Sequence, residues 1–86
     1  MANHLSAKKR IRQTIKRTAR NRHLRSTVRT KIKRVHVAIQ AGDKKAAHAA
    51  LPPAVEGIDA AVSKGIYHRK TGSRYISRLT KQVNGL

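Results

Sequence analysis

Residues 24–43 read LRSTVRTKIKRVHVAIQAGD, and two features of this stretch decide the fold. Leu24, Val28, Ile32, Val35 and Ile39 step by 4, 4, 3 and 4, which makes one apolar stripe at helical spacing. Gly42-Asp43 then closes the helix. Glycine suits the left-handed position after a helix, and aspartate suits the N-cap of the next. A stripe followed by so short a turn predicts an αα-hairpin.

Downstream, Ala47, Leu51, Val55, Ile58 and Val62 repeat the same steps, predicting a second helix over roughly 43–64 that Gly65 ends. This period crosses Pro52-Pro53. Each proline lacks a donor and clashes with the carbonyl four residues back, costing about 3 kcal/mol inside a helix. The expectation is a kink or brief break, with Pro53 near the first turn of the second piece. A third helix should start within 68–73 and run to about 84, with Ile76, Leu79, Val83 and Leu86 on its apolar face. Gly72 should weaken its first turn. No segment alternates as a strand would. The expected fold is all-α, an antiparallel three-helix bundle. Its core would join Val28, Ile32, Val35, Ile39, Leu51, Val55, Ile58, Val62, Leu79 and Val83.

Upstream of Leu24 the stripe fails. Position 21 is Asn21, and Ile11 and Ile15 fall roughly 100–140° from the stripe's centre. Yet no Gly or Pro interrupts the chain between Ser6, a plausible N-cap, and Gly42. About 36 residues at 1.5 Å each would span roughly 54 Å, longer than a domain of this size is wide. One end must therefore project. The organisation expected is one domain over 1–86, in which residues 1–25 form a basic arm and residues 26–86 a helical bundle.

The charge is lopsided in the same way. The chain has 21 Lys and Arg against 3 Asp and Glu, a formal net charge of +18. Residues 1–42 carry 13 basic groups and no acid, while 43–86 carry 8 basic groups and Asp43, Glu56 and Asp59. Five Leu, seven Ile and six Val are the only large aliphatics apart from one Met. A core this small supplies only about 3–5 kcal/mol, and like charge repels itself. Part of the free chain is therefore expected to be poorly ordered.

Several classes are disfavoured. Without Cys there is neither a disulfide nor a thiolate metal site. No apolar run approaches the roughly 18 residues of a membrane span, and the N-terminus lacks the apolar core of a secretory signal. An Arg-rich, acid-free start is also how a mitochondrial transit peptide reads, but its removal near residue 42 would leave a half too short and too Ala-rich to fold alone. Glu56 and Asp59 are the only close acidic pair, expected on an exposed helical face, where solubility and pairing with Lys64 or Arg69 explain them better than acid–base catalysis. His4, His23, His36, His48 and His68 show none of the four-residue spacing of a helical zinc site. No cofactor and no metal are expected.

The arm carries the functional signal. Lys8, Lys9, Arg10, Arg12, Lys16, Arg17, Arg20, Arg22, Arg25 and Arg29 occupy all sides of one helix. No acids intersperse, and residues 6–23 have no opposite apolar face, so neither a solvated amphipathic face nor a membrane-surface helix describes them. Arginine predominates between 10 and 30, and its planar fork suits bidentate phosphate contact. Readers of single strands use aromatic platforms, and Tyr67 and Tyr75 are too few for one. Duplex DNA remains open. A helix cationic on every side fits a crevice between several backbones better than one groove, and folded RNA offers such crevices. Lys70, Arg74 and Arg78, four apart on helix three, form a second phosphate-binding row.

Taken together, these residues resemble a family. The opening MANHLSAKKR (Met1 to Arg10) is similar to the start of bacterial small-subunit ribosomal protein twenty. The similarity continues through Asn21, Ser26, Arg29, Thr30, Ile32, Lys33, the Ala41-Gly42-Asp43-Lys44 hairpin, Lys64-Gly65, His68, Arg74, Ser77 and Leu79. Lys70, Gly72 and Ser73 stand where that family usually has an Asn and two Ala, Ile76 where a Lys is common, and Pro52-Pro53 is unusual. The resemblance implies a three-helix bundle with a long N-terminal helix, and no enzymatic activity. It implies direct binding to small-subunit ribosomal RNA, near its 5′ domain and the foot of its long 3′ helix, in the ribosome of the bacterial cytoplasm or of a plastid. Lys33 and His68 join the RNA-binding set on this basis. Few protein contacts, no membrane and no homo-oligomer are expected. The rival classes are a nucleoid DNA-binding protein, a membrane-active cationic peptide and an organellar precursor.

Overall fold

The structure, a computed structural model, describes residues 2–86, with side chains from Leu5 onward. Met1, the first residue of the expected arm, lies outside the described residues, as does the side chain of His4. Three helices follow one another: α1 Ala2–Gln40, α2 Lys44–Ser63 and α3 Arg69–Asn84. The expected all-α, three-helix architecture is what the chain adopts. α2 packs against both neighbours, and α1 and α3 touch each other least.

Helix α1 is 39 residues long and begins before Ser6, which is helical and not a cap. Nothing between Ala2 and Ser6 stops a helix, and a capping preference of about 1 kcal/mol does not by itself start one. At 1.5 Å per residue such a helix measures roughly 58 Å, close to the 62 Å long axis of the whole molecule. The radius of gyration is 17.5 Å, against about 12 Å for a compact chain of this length.

Both turns are built by glycine. Gly42 sits at φ +69° and Gly65 at φ +75°. After α1 the Gly42 N–H donates to Ile39 O and the Asp43 N–H to Ala38 O, both at 3.0 Å. After α2 the Gly65 N–H donates to Val62 O at 3.0 Å and the Ile66 N–H to Ala61 O at 2.9 Å. These are paired Schellman closures, which satisfy the last carbonyls of a helix. Asp43 then caps α2, its Oδ1 accepting from the Ala46 N–H at 3.0 Å.

Pro52 and Pro53 do not break α2, which runs unbroken through both. Pro53 is thus mid-helix and not at the start of a second piece. Both rings are exposed, away from the packed face. Ala47 on one side of the pair and Ala54, Ile58 and Ala61 on the other are buried. That shared burial holds the two segments in one register, and tertiary packing overrides the local preference.

The core consists of Val28, Val35, Ala38, Ala47, Ala54, Ile58, Ala61, Ile66, Leu79 and Val83. Of the residues expected inside, Ile32, Ile39, Leu51, Val55 and Val62 are only half-buried. The buried face of α2 is turned from the Val55–Val62 line toward its alanines. Small side chains let the helices approach closely. One close approach is at Gly72, buried in α3, where a Cβ would lie 2.5 Å from Val62 Cγ2.

Candidate nucleic-acid interface

Every residue from Leu5 to Arg20 is exposed, so this part of α1 touches nothing else in the molecule. At about 100° per residue, Lys8, Lys9 and Arg10 point in three directions, and Arg22 and Arg25 fill the gap they leave. Arg12, Lys16, Arg17 and Arg20 lie between, and all of these side chains are exposed. The cationic groups therefore surround the helix. Leu5, Ile11 and Ile15 are exposed among them, at 69%, 59% and 63%, and do not join the core. Arg29 and Lys33 continue the exposed basic surface along the part of α1 that packs on α2.

A second cationic row stands on α3. Lys70, Arg74 and Arg78 are exposed, and at about 100° per residue they lie opposite the buried Gly72, Leu79 and Val83. His68 has a part the sequence did not disclose. It is the N-cap of α3, and its Nδ1 accepts from the Lys70 N–H at 3.1 Å. An accepting Nδ1 is unprotonated, so in the neutral ring Nε2 carries the hydrogen. The cap thus orients an exposed imidazole with its donor on the other nitrogen.

Other basic residues outside the expected set, Arg34, Lys44, Lys45, Lys64, Arg69 and Lys81, are exposed. Lys31 differs: its stem lies across α2 at Gly57, where a Cβ would meet its Cδ at 3.2 Å. Position 31 stands three after Val28 and four before Val35, on the face of the apolar stripe, so helical spacing itself marks this lysine as the one whose stem packs.

The structure also brings together the two tyrosines that were too few to read as a platform. Tyr67 and Tyr75 pack edge to face, with ring centroids 5.8 Å apart and an interplanar angle of 85°. They line a cavity of about 410 Å³ between α1 and α3, with Arg29, Ile32, His36, Arg78, Leu79 and Gln82. Among the described residues, no three His, Cys, Asp or Glu side chains cluster as a metal site would require, and no helix is long and apolar enough to cross a membrane.

A family model described as ribosomal protein S20 matches residues 2–84. The small ribosomal subunit protein bS20 of Geotalea uraniireducens is 60% identical over 86 residues, covering 100% of this chain and 99% of its own length. That of Citrifermentans bemidjiense is 59% identical with the same coverage. The bS20 protein of Geobacter sulfurreducens is 52% identical, again over 100% of this chain and 99% of its own.

Proposed function

Because the chain belongs to the ribosomal protein S20 family, we propose that it holds small-subunit ribosomal RNA in its folded shape by phosphate contacts made around a projecting helix. It is a structural constituent of the small ribosomal subunit and not an enzyme. Within one domain, residues 1–25 act as the arm and residues 26–86 as the bundle that anchors it. Lys8, Lys9, Arg10, Arg12, Lys16, Arg17, Arg20, Arg22 and Arg25 neutralise phosphates that approach from several sides. Arg29 and Lys33 extend this surface, and His68, Lys70, Arg74 and Arg78 engage a second backbone.

One observation carries the reading: α1 is exposed from Leu5 to Arg20, and its cations, completed by exposed Arg22 and Arg25, go all the way round the helix. A single duplex groove would leave half of those charges in solvent, whereas a crevice in folded RNA uses all of them. The family resemblance favours the 5′ domain and the foot of the long 3′ helix as the crevice, in the ribosome of the bacterial cytoplasm. Few protein neighbours and a monomeric chain accompany this role.

The test is competition, across a range of salt, between 16S ribosomal RNA, duplex DNA and anionic vesicles. Ribosomal RNA should win, with affinity falling steeply as salt rises, because each neutralised phosphate releases counterions. Equal affinity for duplex DNA would point instead to a nucleoid role, and preference for vesicles to a membrane-active peptide.

A further inference from the structure

We infer that the cleft between α1 and α3 receives one unstacked base of the ribosomal RNA, packed against the Tyr67–Tyr75 pair, with its flanking phosphates on Arg29 and Arg78. This rests on the RNA-binding reading above and adds a contact of a different kind, since phosphate contacts position and base contacts specify.

The cleft has the chemistry of a nucleotide site. Its volume, about 410 Å³, falls within the roughly 300–1,000 Å³ of small-ligand pockets. Its floor is apolar, formed by half-buried Ile32 and buried Leu79. In an edge-to-face pair one ring presents only its edge to the other, so flat aromatic surface is left over for a third ring. Such surface is what proteins offer to splayed-out bases. Arg29 comes from α1 and Arg78 from α3, and both are exposed at the rim. His36 and Gln82 at the same rim can hydrogen-bond a base edge.

Charge selects the occupant. No carboxylate lines the cleft, and Arg29 and Arg78 are the charged groups on its rim. Each is also the end of a cationic track. Arg29 follows Arg25 by one turn on α1, and Arg78 ends the Lys70–Arg74 row on α3. A backbone running from one track to the other crosses the cleft and leaves a base above the tyrosines. An apolar or cationic peptide segment would find no partner for the two guanidinium groups. Duplex DNA keeps its bases stacked, whereas folded RNA presents them in loops and bulges.

Ultraviolet cross-linking of the full-length protein to 16S ribosomal RNA, mapped by mass spectrometry, tests this without altering the chain. A nucleotide attached at Tyr67 or Tyr75 is expected, and cross-links confined to residues 1–25 would overturn the inference. Tyr75→Leu should lower affinity for the RNA roughly 5- to 150-fold, the range for losing one base–aromatic stack. The salt slope should stay as in the wild type, because no phosphate contact is lost. Tyr75→Phe should bind as the wild type does, and one base should lose its protection from chemical probes only in the leucine variant. If circular dichroism shows that Tyr75→Leu has not folded, the cross-link and the Tyr75→Phe result decide. An Arg17→Ala/Arg20→Ala protein separates the two readings. If it loses affinity and salt slope while Tyr75→Leu binds normally and no tyrosine cross-links, the arm stands and the cleft falls. If the wild-type protein does not prefer ribosomal RNA to duplex DNA, the parent reading falls.

Discussion

Two helical glycines show how much rests on single atoms here. At Gly72 a Cβ would sit 2.5 Å from Val62 Cγ2 and 3.4 Å from Ile58 Cγ2. Val62 is β-branched and confined to essentially one rotamer in a helix, and Ile58 is fully buried, so neither can withdraw. Alanine would gain roughly 1 kcal/mol of helix propensity, but overpacking costs about 1–3 kcal/mol. Gly72→Ala should therefore destabilise the bundle, and Val62→Ala in the same chain should recover part of the loss; urea unfolding of the two singles and the double measures both. A Gly72→Ala protein more stable than the wild type would contradict the close approach. At Gly57 the neighbour is different, the flexible stem of Lys31 at 3.2 Å. That stem can swing aside, so Gly57→Ala should stabilise the protein by about 0.5–1 kcal/mol. Among the core residues, Ile58→Ala should cost about 2–5 kcal/mol. Ile32→Ala should cost less, because Ile32 is half-buried at the open cleft.

At the scale of the helix, what could be read from sequence and what could not divide along the range of the forces involved. Ends were legible because caps are local. Gly42, Asp43 and Gly65 each act on carbonyls or N–H groups within five residues, and all three do what their types suggest. The start of α1 was misjudged because a serine that can cap need not. The core was half legible. Periodicity found the stripe on α1, but ranking by hydrophobicity overlooked Ala38, Ala54 and Ala61, whose value is their small size at a helix crossing. The meeting of Tyr67 with Tyr75 depends on the path of the α2–α3 connection and left no trace in spacing. Pro52-Pro53 was misread because its local cost is visible and the burial that overrides it is not. That cost should still be measurable. Pro52 has no N–H to give His48 O, and replacing it restores the bond. Pro52→Ala is expected to raise stability by about 1–3 kcal/mol with no change in helix boundaries, and thermal unfolding with amide exchange across Ala47–Ile58 would detect either.

For the whole molecule, the same charges act in opposite directions before and after binding. The chain exposes 6715 Å², against about 5,100 Å² for a compact protein of its mass, and much of the excess belongs to the arm. Residues 5–20 bury no side chain, so only backbone hydrogen bonds oppose the repulsion among their cations. Their amides should exchange much faster than those of residues 28–39, a stretch that Val28, Val35 and Ala38 anchor in the core. Salt shortens the Debye length from about 30 Å at 0.01 M to about 8 Å at 0.15 M. Screening a net charge of +18 should therefore raise the unfolding temperature of the free protein over that range. The same salt should weaken its complex with ribosomal RNA, because each counterion released into a more concentrated solution gains less entropy. Arg17→Ala/Arg20→Ala separates the two effects. Removing two charges from the arm lessens repulsion, so the free protein should lose no stability, while its affinity for RNA falls and its salt slope becomes shallower. The helical signal from residues 43–86 should not change. An affinity equal to wild type at physiological salt would mean that the arm is not the main contact. A fall in affinity with an unaltered slope would mean that these arginines do not meet phosphates.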